Sequence, residues 1–433
     1  KKQEEIKKLQ EKERKEQEAA EKKALEEQRK LQEEKRKAEE AELARKNAEL
    51  KGKIDSVNNE VQKGKTSLAT GNIDEALKYF ENAERMIPSD AGKNFSGSKK
   101  SEIAQALFEA SEKADSKEIK DQLMNQAVIM AQKAIADNPK DAVPHYIIAQ
   151  NAMNKKDYNL ALEEMKKAVS FDPNNYLYYY NLGKIQYIMK KYTEAASSFT
   201  TSCELKSDFA PSRYNLGVTQ KQLKNYVAAL DAFRKTIDID PRHEKAYMEE
   251  ARILTIRNDF TGAIDAYKSV LKINNINVQA AMELGSVYYQ KKNYAEAEDS
   301  YRRALTMLGP SEEMTQTKYN LSTVLYDAGN ILDAEKYARE AYDGKDFVKN
   351  KKSKANIIYN YALILDRNGK SEEAIPCYLE VLDYNPDHIK TKINLGVMYI
   401  NLTPPEIDTA LTLFTQVYNL DNKNFEANNN LGN

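Results

Sequence analysis

Apolar and polar residues follow two rhythms along this chain, and the change between them falls near residue 50. Beyond it, short amphipathic segments come in pairs. The pattern is clearest over residues 175–208, NYLYYYNLGKIQYIMKKYTEAASSFTTSCELKSD, where two such segments flank Lys190-Lys191-Tyr192-Thr193. Its landmarks return every 34 residues: Leu182-Gly183 as Leu216-Gly217 and, after Ala251, as Leu284-Gly285. Ala195 and Phe199 return as Ala229 and Phe233, Ala263 and Tyr267, Ala297 and Tyr301. Self-similarity at this period predicts an all-α solenoid of stacked helical hairpins.

The regular array occupies residues 142–433. Repeats run over 142–175, 176–209, 210–243, 244–277 and 278–311, then about 315–348, 355–388 and 389–424, with a ninth opening at Phe425. Pro144 and Pro211 fall at helix starts, and Pro173, Pro241 and Pro386 at hairpin ends. Pro376 lies just past the first turn of a helix that Ser371 would cap, so a local bend is expected there. Residues 57–141 fit the same ruler weakly. Gly64, Ala76, Phe80, Ala83 and Pro88 match one hairpin with its turn at Gly71-Asn72. Residues 89–98 read as a loop by composition, followed by helices over about 100–114 and 117–137.

Residues 1–56 form a separate, long charged helix with a coiled-coil-like end. The first 50 residues hold 16 Lys or Arg and 15 Glu and no Gly, Pro or aromatic residue. Glu–Lys pairs four apart recur, among them Glu11–Lys15, Glu33–Lys37 and Glu42–Lys46, each supporting an isolated helix by roughly 0.2–0.5 kcal/mol. Ile6, Leu9, Leu25 and Leu31 make too thin a seam to specify a dimer, whereas Leu50, Ile54, Val57, Val61 and Leu68 alternate by four and three. Two readings follow: a rod that joins copies or partners, or a solvated lone helix whose last turns pack on the solenoid.

Composition narrows the function. Net charge is −1, which argues against nucleic acid or a lipid surface as a general electrostatic partner. No apolar run is long enough to span a membrane. The chain opens on Lys1-Lys2 without Met and stops at Leu431-Gly432-Asn433 inside a new repeat, so both ends read as cut. His145, His243 and His388 stand in different repeats without metal-ligand spacing, no glycine-rich phosphate loop occurs, and Cys203 and Cys377 fall among apolar neighbours as separate buried thiols. No catalytic constellation, metal site or cofactor is expected.

Within each period the small residues (Gly183, Gly217, Gly285, Gly396; Ala149, Ala251, Ala362) let paired helices approach, as do Ala195, Ala229, Ala263 and Ala297 on the facing helix. The large residues Phe199, Phe233, Tyr267, Tyr301, Tyr378 and Phe414 are expected to fill the gap to the next hairpin. A small residue at the eighth position, Ala at the twentieth, an aromatic at the twenty-fourth and a frequent Pro at the thirty-second together resemble the tetratricopeptide repeat. The resemblance covers 142–433 strongly and 57–141 weakly, departing at the fourth position, where His145, Tyr179, Arg213 and Tyr247 stand in place of a regular Trp or aromatic. It implies a right-handed superhelix whose first helices line a concave groove that holds peptides or partner helices.

That groove would carry Tyr146, Tyr180, Tyr214, Met248, Met282, Tyr319, Tyr359 and Ile393 in one column, and Asn181, Asn215, Asn320, Asn360 and Asn394 beside it. Lys184, Tyr187, Arg252, Tyr289 and Tyr326 complete the set. Tyrosines supply rigid contact area and asparagine pairs both ways with a peptide backbone, so the pattern suits peptide recognition. Glu249 and Glu283, with Arg252 nearby, interrupt the amide row. Without Lys or Arg at the fifth position and Asn at the ninth, the family's chaperone-type carboxylate clamp is absent. The expected function is a non-enzymatic adaptor for protein partners in a bacterial complex. The alternatives are a regulatory region of a larger enzyme and a structural protein that self-assembles into a homo-oligomer through its first helix. A charged rod before a repeat array, in a Lys-, Asn-, Ile- and Tyr-rich chain without Trp, is similar in layout to envelope proteins, including those of spirochaete periplasmic flagellar assemblies.

Overall fold

The computed structural model describes residues 1–422 together with 429 and 430, so the ninth repeat expected from Phe425 lies outside the described residues. Among the described residues every regular element is a helix, and the chain divides into two compact units, residues 1–207 and 208–433.

The first unit contains α1 (Lys2–Ala69), α2 (Ile73–Met86), α3 (Gly92–Lys113), α4 (Lys117–Asp137), α5 (Ala142–Asn154), α6 (Tyr158–Phe171), α7 (Tyr176–Ile188) and α8 (Tyr192–Leu205). Successive helices pair as antiparallel hairpins, and each hairpin packs on the next. Residues 1–49 are exposed on every side, and the first buried residue of α1 is Val57, followed by Val61, Gly64 and Ser67. Only this last part packs with Ala76, Phe80 and Ala83 of α2, in a core that continues through Ile103, Leu107 and Leu123. The four-and-three alternation beginning at Leu50 is therefore the seam of a hairpin.

The loop expected over 89–98 is instead a short 3-10 turn, Ser89–Ala91, running into α3. Gly97 is a contact residue there: a Cβ would lie 2.7 Å from Cβ of Asn138. Ser96 Oγ and Lys100 Nζ both donate to Asp137 Oδ2, at 2.7 and 2.6 Å. Small polar residues that look like breakers in sequence serve as the crossing point with the end of α4.

The second unit contains α9 (Ala210–Gln222), α10 (Tyr226–Ile239), α11 (Glu244–Ile256), α12 (Phe260–Ile273), α13 (Val278–Gln290), α14 (Tyr294–Leu305), α15 (Glu312–Asp327), α16 (Ile331–Asp343), α17 (Lys351–Arg367), α18 (Ser371–Tyr384), α19 (Ile389–Ile400) and α20 (Ile407–Leu420). One apolar core runs through it, from Ala229 and Phe233 past Tyr267, Tyr301 and Leu325 to Tyr378 and Leu413. Pro376 is accommodated inside α18, whose N-cap is Lys370 rather than Ser371.

Two local devices repeat with the period. At the hairpin turn, Lys156, Lys190, Lys224, Asn258 and Lys292 adopt φ near +60°. Around the turn, Lys190 N–H bonds to Tyr187 O and Lys191 N–H to Gln186 O, which satisfies carbonyls that the helix end leaves open. Inside the hairpin, the aromatic ring rests on the small residue of its own partner helix. A Cβ on Gly183 would lie 2.7 Å from Phe199, on Gly217 2.7 Å from Phe233, and on Gly396 2.6 Å from Phe414. These rings, expected to fill the gap to the next hairpin, thus also make a contact inside their own, within a core that continues into the neighbouring hairpins. The tyrosine hydroxyls also reach onward: Tyr267 Oη donates to Glu283 at 2.7 Å, and Tyr378 Oη accepts from Asn394 Nδ2 at 2.9 Å.

Candidate functional site

Because each first helix lies beside the first helix of the next hairpin, residues one period apart form rows within each unit. In the first unit Tyr146 stands edge-on to Phe108 at 5.6 Å and 5.1 Å from Tyr178, and burial raises the pKa of its hydroxyl. Tyr180 is half-buried 6.1 Å from the Phe199 ring, with Lys184 Nζ 5.4 Å from its own ring centre. Tyr187 packs on Tyr192 at 5.4 Å. Asn181 is half-buried and its Nδ2 donates to Leu177 O at 2.8 Å, which holds the amide, with its acceptor oxygen, on the helix.

In the second unit Tyr214 lies 5.7 Å from Phe233 and 4.9 Å from His243, next to the half-buried Asn215. His243 is itself an N-cap, accepting from Ala246 N–H at 3.1 Å, and His388 caps α19 in the same way through Thr391 N–H. Met282, Tyr319 and Tyr326 are half-buried along the row. Tyr289 Oη donates to Asp327 at 2.5 Å, and burial with that carboxylate raises its pKa. Asn320 accepts from Gln316 at 3.1 Å. Tyr359 sits 5.8 Å from Tyr378 and 4.9 Å from His388, and Asn394 reaches both tyrosine hydroxyls.

Three expected groove residues are corrected. Met248 and Ile393 are buried in the core, and Asn360 is buried with its amide donating to Ser322 Oγ at 2.7 Å. All three lie on first helices at the side that faces a neighbouring helix, where the wall between hairpins closes over them.

The interruption at Glu249 and Glu283 is a continuous ion-pair ladder. Arg252 Nε and Nη2 fork onto Glu283 at 2.9 and 2.7 Å, and Nη1 donates to Glu249 at 3.0 Å. Lys221 donates to the other oxygen of Glu249. Burial pushes the Glu283 carboxyl up, but hydrogen bonds from Arg252, Gln279 and Tyr267 outweigh it and hold its pKa below the usual range. Lys221, Arg252, Tyr267 and Glu283 line a cleft of about 560 Å³ that also includes Lys224, Tyr226 and Ile256. Lys221 and Tyr267 were not legible as its members because Lys221 comes from the preceding repeat and Tyr267 from the second helix of Arg252's own hairpin.

A second cleft, about 820 Å³, opens in the first unit between the end of α1 and helices α3 and α4. Leu68, Ile73, Ala106, Ala110 and Leu123 line it with a rim of Lys65, Glu102, Glu109 and Lys113. It falls in the degenerate repeat, where the landmark positions fail; the spacing of Ala106 and Ala110 by one turn is the only sequence signal.

His145 is buried between Glu164 Oε2 at 2.6 Å and Pro139 O at 3.2 Å, a structural pairing the sequence did not announce. Both cysteines are free and buried, and burial pushes the Cys377 thiol up to about 11. Among the described residues no cluster of three or more metal-ligating side chains occurs, and no helix is long and apolar enough to cross a membrane.

Paired helices joined by a left-handed turn, with an aromatic ring seated on a small residue and rows of first helices left half-open, define an interaction solenoid. Family models of the tetratricopeptide repeat match residues 61–90, 144–175, 176–209 and 355–388, residues 214–277, and residues 277–346, together more than half of the chain. The chain belongs to the tetratricopeptide-repeat proteins, and as such it is a protein-interaction scaffold. Solved structures similar to it include MamA (24% identity, covering 38% of this chain and 91% of that one, TM-score 0.38). YrrB, described as a tetratricopeptide-repeat protein with an unusual peptide-binding site, is 21% identical over 42% of this chain and 94% of its own, with TM-score 0.39. PilF of Pseudomonas aeruginosa is 20% identical over 50% and 97%, with TM-score 0.42. No curated protein sequence matched the chain.

Proposed function

We propose that this chain is a non-enzymatic adaptor that holds partner peptides or helices along the first-helix rows of its repeats and so helps to assemble a bacterial multiprotein complex. The observation that carries the reading is the row in α7: Tyr180, Lys184 and Tyr187 are half-buried, held by neighbouring rings or by cation–ring contact, beside the Asn181 amide that Leu177 O holds in place. Rigid aromatic area with a fixed acceptor favours an extended backbone or one face of a helix, because little side-chain freedom is lost on binding. An envelope or periplasmic flagellar setting is supported only by layout, a charged helix leading into a repeat array.

A displayed random-peptide library panned on the full chain tests this. A peptide selected on the wild type should lose at least about 30-fold in affinity against Lys184→Ala/Tyr187→Ala, as a truncated aromatic anchor costs about 2 kcal/mol or more. The helical melt should stay unchanged. Undiminished binding by the variant, or no peptide that competes with others for this row, sinks the reading.

A further inference from the structure

The exposed part of α1 is a device in its own right, independent of the groove. No residue from 1 to 49 is covered by another element, yet the helix is continuous with the part packed on α2. Ion pairs one turn apart occur along it: Glu11–Lys15 at 3.2 Å, Glu33–Lys37 at 2.8 Å and Glu42–Lys46 at 2.8 Å have the carboxylate on the N-terminal side, the favourable order, and Lys12–Glu16, Arg14–Glu18, Arg36–Glu40 and Arg45–Glu49 pair in the reverse order.

A partner helix would need an apolar seam, and the exposed apolar residues do not supply one. Leu25 and Leu43 are 18 residues apart, about five full turns, and so share one line. At about 100° per residue, Ile6, Leu9 and Leu31 lie roughly 100–160° away from that line. Pairing a second helix along either line leaves the other in water and breaks ion pairs on the way. What an isolated helix ordinarily lacks is a nucleus, because fixing the first turn is unfavourable and extension is not. Here the hairpin supplies it: Val57 and Val61, locked against α2, hold the C-terminal turns, and the charged stretch extends from them. Gly52, whose Cβ would meet nothing within 4 Å, stands just before the packed part and is its softest position.

We propose that residues 2–49 are a single-stranded, ion-paired helical spacer that needs no second chain and holds its N-terminal end roughly 70 Å from the first hairpin. Its rigidity depends on ionic strength, since exposed pairs are screened within about 3 Å at 1 M salt.

The full chain tests it, with spin labels at Glu5→Cys and Lys46→Cys in a Cys203→Ala/Cys377→Ala background. At low salt the distance distribution should be narrow and centred at about 60 Å. Sedimentation equilibrium should give the monomer mass at every concentration. The triple reversal Glu11→Lys/Glu33→Lys/Glu42→Lys, or 1 M salt, should broaden the distribution, shift it to shorter distances and lower the helical signal. A broad, short distribution in the parent overturns the rod. A mass that rises with concentration and falls to the monomer in a 57–433 truncation overturns the single strand in favour of a coiled coil. A charge-reversed chain with an unchanged distribution overturns the role of the ion pairs.

Discussion

Replacing Gly183 by alanine and Gly52 by alanine is the same chemical change in two helices, and the structure assigns the two opposite signs. On Gly183 the new Cβ would lie 2.7 and 2.8 Å from two ring carbons of Phe199 and 3.0 Å from a third. The ring is 1% exposed and is flanked by Tyr180. To reach ordinary van der Waals contact it must shift by several tenths of an ångström, and overpacking of this kind costs about 1–3 kcal/mol. Alanine returns about 1 kcal/mol through its higher helix propensity, so Gly183→Ala should be destabilising by about 0–2 kcal/mol. At Gly52 nothing lies within 4 Å, so only the propensity gain remains and α1 should be stabilised by about 1 kcal/mol. The difference between the variants, about 1–3 kcal/mol, isolates the ring contact. Because a repeat array opens locally rather than in one step, native-state hydrogen exchange on the amides of α7, α8 and α1 is the suitable assay. Gly183→Ala/Phe199→Leu should recover part of the loss through a favourable coupling. If Gly183→Ala protects α7 as Gly52→Ala protects α1, the ring does not rest on the glycine and the account of the hairpin core is wrong.

The remaining predictions use the same measurements. Lys190 holds φ +60°, a conformation costing an L-residue about 1–2 kcal/mol, so Lys190→Gly should stabilise the α7–α8 hairpin by about 0.5–1 kcal/mol once glycine's extra chain entropy is subtracted. A loss of protection there would refute the strain. Glu283→Gln should destabilise the second unit by about 1–3 kcal/mol at neutral pH by weakening the bonds from Arg252, Gln279 and Tyr267. Since the folded carboxyl is held below its usual pKa, its contribution is present above about pH 4.3 and is lost as pH falls through the folded value. Wild type and variant should therefore converge in acid melts, and a gap that widens on acidification would contradict the ladder. The Cys377 thiol, raised to about 11 by burial, should react with iodoacetamide at pH 8 well over tenfold more slowly than a free thiol, and only upon opening of α18. Rapid labelling of folded protein would contradict its burial.

Much of the scaffold is legible in the amino-acid pattern. The spacing of Leu182-Gly183, Ala195 and Phe199 carries the hairpin period because a ring, a small residue and an interhelical distance must agree at every turn of the array. The loop expected at 89–98 failed for the same physical reason: glycine and serine serve breaks and close helix crossings alike, and Gly97 against Asn138 is a crossing. Tyr180, Lys184 and Tyr187 stand half-open in α7, but Met248, Asn360 and Ile393, in equivalent columns, are covered. A column number specifies an angle around one helix. It does not specify how far the neighbouring helix closes over that angle.

Two kinds of information thus separate. Local rules determined the all-helical repeats and the solvated charged helix, since these depend on residues within one period and on i,i+4 neighbours. Only tertiary structure decided which ring touches which glycine, that Arg252 joins Glu249 to Glu283, that His145 is buried against Glu164, and that the four-and-three stripe ending at Leu68 seals a hairpin. Those contacts span 16 to 31 residues or choose among several helical faces with similar chemistry. Packing distance selects among them, and a linear pattern does not contain that distance.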